Sequence, residues 1–189
     1  MTISRLCCLT MGLMMGSSGW AQDNPSVSGL FSDHMVLQRD MPVPVWGPAK
    51  PGTKITVTFG QQEKTAETGK DGKWLVRLDA LKASAEPAQL TVKSLTGDKP
   101  VIIADVLVGD VWFCSGQSNM EWQMKQFKTE EDVAKADYPA IRHSHGGNGW
   151  TVCSPKTAGD FTATGFYFAR RIHRETHVPI GLLNNAIGG

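Results

Sequence analysis

Residues 111–120 read Val-Trp-Phe-Cys-Ser-Gly-Gln-Ser-Asn-Met, an apolar, strand-prone run that breaks at Gly116 and sets Ser118 where a helix can begin. A strand delivered into a tight glycine turn presents the next side chains at the sheet edge. A helix that follows aims its first backbone N–H groups at any charge forming there. A serine in that position is suited to attack on an acyl carbon, and Ser118 is the candidate nucleophile. Taken alone, Gly-Gln-Ser-Asn serves equally well as a polar strand-to-helix turn.

The texture of the chain changes near Ala104. Ahead of it lie short β-type runs at Pro42–Trp46, Lys54–Phe59, Trp74–Leu78, Gln89–Lys93 and Val101–Val106, separated by turn signals such as Pro51-Gly52 and Gly69-Lys70-Asp71-Gly72. This spacing predicts a β-sandwich, with Ile55-Thr56-Val57-Thr58-Phe59 alternating between core and water. Beyond Val106 the order becomes strand, helix, strand. A strand is expected at Val111–Cys114, helices at Asn119–Lys128 and Glu130–Ala136, and a short strand at Ile141–His143. A longer helix is expected over Phe161–Glu175, with Phe161, Gly165, Phe168 and Ile172 on its packing face. The apolar run Ile180–Ala186 then reads as a central parallel strand ending in Gly188-Gly189. A right-handed strand–helix–strand unit over Val111–Gly189 would bring both strand ends to one sheet edge, with Ser118 and Gly188 as neighbours.

Residues 1–21 carry one charge, Arg5, followed by the apolar run Leu6–Met15 and small residues up to Ala21. The pattern is that of a secretory signal cleaved after Ala21, and the apolar stretch is shorter than the ~20 residues that span a bilayer. A secreted or periplasmic location is expected, with no membrane association after cleavage. The expected divisions are a signal peptide at 1–21, an accessory β-sandwich at 22–104 and an α/β portion at 105–189. The formal charge of +1 falls to zero once Arg5 is removed, so attraction to nucleic acid or anionic membrane is not expected. Cys114 and Cys153 remain, in a compartment that permits disulfides. They form either a bridge beside the site or two separate buried thiols.

Phe113-Cys114-Ser115-Gly116-Gln117-Ser118-Asn119-Met120-Glu121-Trp122 resembles the nucleophile block of the sialate O-acetylesterase family of SGNH-type hydrolases. The stretches Leu30–Arg39 and Pro42–Gly47 resemble the opening of that family's accessory β-domain. Val178–Gly189 is similar to the strand and glycine turn of its second block. The resemblance implies an N-terminal β-sandwich followed by the start of an α/β/α, flavodoxin-like parallel-sheet hydrolase domain. It implies removal of O-acetyl groups from sugars through a serine acyl-enzyme, with no cofactor. Ser118 would be nucleophile, and the N–H groups of Ser118 and Gly188 would form the oxyanion hole. The family's base lies in an Asp-x-x-His block that this chain does not contain. The 189 residues are therefore expected to be an N-terminal portion, inactive alone and poorly soluble, with the Ile180–Ala186 strand unpaired at its edge. The alternative is a non-catalytic carbohydrate-binding or vestigial fragment. The acetylated sugar, sialic acid or a polysaccharide such as xylan, is left open.

Around the nucleophile, Gln117 and Asn119 are candidates for orienting substrate, Asn119 also for satisfying N–H groups at the helix start. Trp150, beside Gly146-Gly147-Asn148-Gly149, is a candidate cleft wall on which a sugar ring could stack. Trp112 is expected in the core and Trp122 one turn into the helix. The pairs His143/His145 and His173/His177 have ligand-like spacing, yet no acidic or thiol partner completes a set, and surface or capping roles are expected.

Overall fold

The computed structural model describes residues 24–97 and 99–188; the expected signal segment and Gly189 lie outside them. Strands β1 (Val36–Gln38), β2 (Val43–Pro48), β3 (Lys54–Phe59), β4 (Gln62–Glu67), β5 (Lys73–Leu78), β6 (Ser84–Ser94) and β7 (Val101–Cys114) come first. Helices α1 (Ser118–Glu121) and α2 (Glu130–Ala134) follow, then β8 (Tyr138–His145), β9 (Thr151–Cys153), α3 (Ala163–Thr176) and β10 (Ile180–Asn184).

Strands β2 and β5 pair antiparallel, each with every second side chain buried, and Val43, Val45, Trp74, Val76 and Leu78 point inward. They cover the antiparallel set β4-β3-β6-β7, whose Ile55, Val57, Leu90 and Val92 are fully buried. Each such aliphatic side chain removed from water contributes about 1.5–3 kcal/mol. This packing is the expected two-layer β arrangement.

Strand β7 is the spine of the molecule. It pairs antiparallel with β6 along Val101–Val108, parallel with β1 at Leu107–Gly109, and parallel with β10 at Asp110–Cys114. The expected strands Val101–Val106 and Val111–Cys114 are thus one element. The division foreseen at Ala104/Asp105 falls at an irregularity inside it, where Asp105 has φ 53° and the register with β6 shifts. Bonds from Arg39 N–H to the Gly109 carbonyl (2.9 Å), and from Val111 N–H to Gln38 Oε1 (2.8 Å), stitch the end of β1 to this spine.

The parallel part runs β7-β10-β8, with antiparallel β9 beside β8. Strand β10 is therefore paired on both edges, which corrects the expectation that its edge would be open. Asp110 N–H bonds to the Pro179 carbonyl on the β10 side, so Val111 faces the opposite edge. Beyond Val111, that edge of β7 has no neighbouring strand among the described residues, and Phe113 there is 66% exposed.

Helix α3 lies on this sheet through Gly165, Phe166 and Ala169, forming a second core with Cys114, Ile141, Phe161, Ile180 and Leu182. The expected face is rotated: Phe168 stands half-exposed, edge-to-face with Trp112 at 4.8 Å. Trp112 is accordingly 43% exposed rather than a core residue. The helix expected over Asn119–Lys128 is a single turn, because Gln123 bridges to Thr162 and Met124 turns into the core through a 3-10 turn at Met124–Gln126.

Candidate active site

Strand β7 ends at Cys114, but its contact with β10 continues. Asn185 N–H donates to the Cys114 carbonyl at 2.9 Å, and Ile187 N–H to the Gly116 carbonyl at 3.2 Å. The Ser118 turn and the loop after β10 are held side by side. Gly116 has φ 133°, a conformation side chains rarely adopt, and this allows the chain to break from strand into α1. A Cβ added at Gly188 would lie 3.9 Å from Ser118 Cα and would collide with the Glu121 carboxylate. Ser118 and Gly188 are therefore neighbours although 70 positions separate them in the sequence.

One helical turn cannot hold itself in place, and α1 is fixed from outside. Thr162 Oγ1 donates to the Met120 carbonyl at 2.5 Å and Thr164 Oγ1 to the Asn119 carbonyl at 2.8 Å. Ala163 N–H donates to the Trp122 carbonyl at 2.9 Å. The start of α3 thus binds the free carbonyls of the Ser118 turn, which would otherwise lack partners. Sequence reasoning did not identify Thr162 and Thr164. Their signal was Thr-Ala-Thr at a helix start, where threonine is ordinarily read as a cap for its own helix.

Ser118 is half-buried, and neither its hydroxyl nor its N–H bonds to another of the described residues. Gln117 occupies the cap position of α1 without a side-chain cap bond. Asn119 sits inside the turn, so the capping role foreseen for it is not present; both amides face solvent beside Ser118. Gly188 N–H is already engaged, donating to Glu121 Oε2 at 2.6 Å. Asn184, buried at the end of β10, accepts from Ala186 N–H through Oδ1 at 3.2 Å and shapes the glycine loop. Neither Glu121 nor Asn184 was singled out from the sequence.

Trp150 is not a cleft wall. It is 8% exposed, its indole N–H donates to the Leu30 carbonyl at 2.9 Å, and its ring packs over Gly181 in the core beneath the β-layer. Cys114 and Cys153 are free thiols, both buried. Burial pushes the Cys153 thiol up to about 12 and also raises that of Cys114, so neither offers a thiolate near neutral pH. His143 is buried and stacked on Phe161 at 4.7 Å, and His145 is exposed at the strand end. His173 and His177 serve the end of α3: the first bonds to the Val178 carbonyl through Nδ1, and the second closes the helix in a left-handed conformation.

No family model matches the chain. Human sialate O-acetylesterase is 31% identical over 150 residues, covering 71% of this chain and 28% of that protein. The rat sialate O-acetylesterase is 28% identical over 189 residues, covering 84% and 35%. The chain thus spans about a third of the length of the curated relatives it matches. Among solved structures, a carbohydrate acetylesterase from Xanthomonas citri superposes with a TM-score of 0.82 at 37% identity, over 87% of this chain and 40% of that one. By these matches the chain belongs to the sialate O-acetylesterase family.

Proposed function

We propose that the protein is a carbohydrate O-acetylesterase in which Ser118 is the nucleophile. The observation that carries this reading is the convergence of Ser118, on a glycine-broken turn at the end of a parallel strand, with the Gly188 loop at the end of its neighbour. In the reaction, Ser118 Oγ attacks the acetyl carbon and its proton passes to a base. The carbonyl oxygen becomes an oxyanion facing the N–H groups of Ser118 and Gly188. The tetrahedral intermediate expels the sugar hydroxyl, and water then hydrolyses the acetyl-serine. Each well-aimed oxyanion donor is worth roughly 3 kcal/mol in the transition state.

The base is assigned to an Asp-x-x-His block outside these 189 residues, in keeping with Ser118 Oγ having no histidine partner among the described residues. Gln117 and Asn119, exposed on either side of Ser118, are assigned to orienting the acetylated sugar. A sugar ester outside the cytoplasm is the substrate in keeping with the signal-like segment 1–21. Among the described residues, no helix is long and apolar enough to cross a membrane. The test is Ser118→Ala in the complete product of the reading frame, assayed on an acetyl ester and on acetylated sialic acid. Turnover should fall by at least about 10³-fold. Undiminished hydrolysis would refute the assignment.

A further inference from the structure

We propose that the Glu121 carboxylate occupies the oxyanion position of the resting site and that substrate must displace it. The inference rests on Ser118 being the nucleophile. It starts from one contact: Glu121 Oε2 accepts the Gly188 N–H at 2.6 Å, the short distance typical of a hydrogen bond to a full charge. Ser118 and Glu121 are three residues apart in α1, so their side chains share a face of that turn. The oxygen that Gly188 holds therefore lies in the same small space as Ser118, since a Cβ at 188 would meet both the carboxylate and the Ser118 Cα. Glu121 forms no ion pair with a cation among the described residues, and the Gly188 N–H is the group that meets its charge.

A carboxylate oxygen resembles the oxyanion of ester hydrolysis in charge and in its demand for N–H donors. The neutral carbonyl of a bound ester is a weaker acceptor than Glu121, whereas the tetrahedral oxyanion is a comparable one. Displacing Glu121 costs free energy once, on binding, and that cost is carried equally by the Michaelis complex and the transition state. Glu121 weakens the Michaelis complex without blocking the chemical step, and it holds the Gly188 N–H in place while the site is empty.

The discriminating variants are Glu121→Gln and Glu121→Ala in the complete product of the reading frame, measured on a small acetyl ester with kcat and KM resolved. A neutral amide oxygen competes less well, so Glu121→Gln should lower KM about fivefold, equivalent to about 1 kcal/mol, with kcat within about twofold of the parent. Glu121→Ala should lower KM at least as much. Glu121→Asp, one methylene short of Gly188, should behave like Ala although it keeps the charge. An unchanged or raised KM, or a tenfold loss of kcat/KM in both Gln and Ala variants, would overturn the proposal and make Glu121 a latch for the glycine loop. Ser118→Ala run in parallel separates the two failures. If it is inactive while Glu121→Gln behaves as a latch variant, only the displacement idea falls. If it is active, the nucleophile assignment falls and takes this inference with it.

Discussion

Arg142 and Asp105 face each other in a two-pronged ion pair, Nη1 to Oδ2 at 2.7 Å and Nη2 to Oδ1 at 3.2 Å, with the arginine side chain only 5% exposed. Arg142 Nε also donates to the Pro139 carbonyl, and His34 Nδ1 lies 2.6 Å from Asp105 Oδ2. One carboxylate thus ties β8, the irregularity in β7 and the turn ahead of β1. Its backbone is left-handed, a conformation that asparagine tolerates, so Asp105→Asn removes the charge and leaves the chain path intact. The loss strands a buried guanidinium, and the variant should be destabilised by about 2–4 kcal/mol in urea unfolding. A change below 0.5 kcal/mol would mean that the pair contributes no net stability.

Acid should weaken the fold in two separate windows. His143 is buried against Phe161, its Nε2 has no hydrogen-bond partner among the described residues, and burial, aided by the nearby His145, lowers its pKa from the ordinary 6.5 to about 4 against an opposing pull from Asp160. The unfolded chain therefore takes up this proton from pH 6.5 downward while the native state does not until about 4. Stability falls as pH falls through that window, by roughly 3 kcal/mol in total. Asp105, held below its usual range by its hydrogen bond to Arg142, acts lower still. Its contribution is fully present above the unfolded value of 3.8 and is lost as pH drops through the native value. Replacing His143 with glutamine should flatten the pH 6.5–4 limb of the stability curve and leave the lower limb in place. A limb of unchanged slope would assign the acid sensitivity to another group.

Much of this architecture was legible where side-chain pattern and burial coincide. Lys54–Phe59 was read residue for residue because Ile55, Val57 and Phe59 alternate onto one face, and β10 was read from its apolar run, which places its start at Ile180 but its end two residues beyond Asn184. Strand β4 escaped notice: Gln-Glu-Lys-Thr-Ala-Glu has no apolar period and is a strand because β3 pairs with it. The long β7 was expected as two strands, Val101–Val106 and Val111–Cys114, whereas the chain runs on through an irregularity at Asp105 and a close approach of Gly109 to Pro179. At the site, the turn and the glycine loop were foreseen from local signals. Glu121 was not, since nothing local to a glutamate announces a bond to a glycine 67 residues away. Trp150 was misplaced for a related reason. Glycines around it suggested an open loop, but the indole fills the space left by Gly181 on a strand 30 residues later.

The two cysteines give a direct chemical test of the core. Both thiols are buried and protonated, and a thiol reagent reacts through exposed thiolate. A folded chain of residues 22–189 should show well under one thiol equivalent with an aromatic disulfide reagent and both Cys114 and Cys153 after denaturation, with or without prior reduction. A reductant-dependent gain of two equivalents in denaturant would instead establish a Cys114–Cys153 bridge.

Gly181 sits where three elements meet, and there the packing leaves no room for a methyl group. A Cβ on it would lie 2.9 Å from Val36 Cβ and 3.0–3.1 Å from two Trp150 ring atoms. Close-packed interiors answer such an insertion with shifted rotamers and backbone, at a cost of typically 1–3 kcal/mol. Gly181→Ala should be destabilised by that amount, since β10 is paired on both sides and cannot move aside freely. The cause can be isolated with Val36→Gly, which costs stability when made alone and, by removing the Cβ that the new methyl would meet, makes space for it when combined. The double variant should therefore be more stable than the sum of the single effects by at least about 0.5 kcal/mol, the scale of coupling between touching residues. Strict additivity in the cycle would show that the penalty at 181 arises elsewhere than against β1.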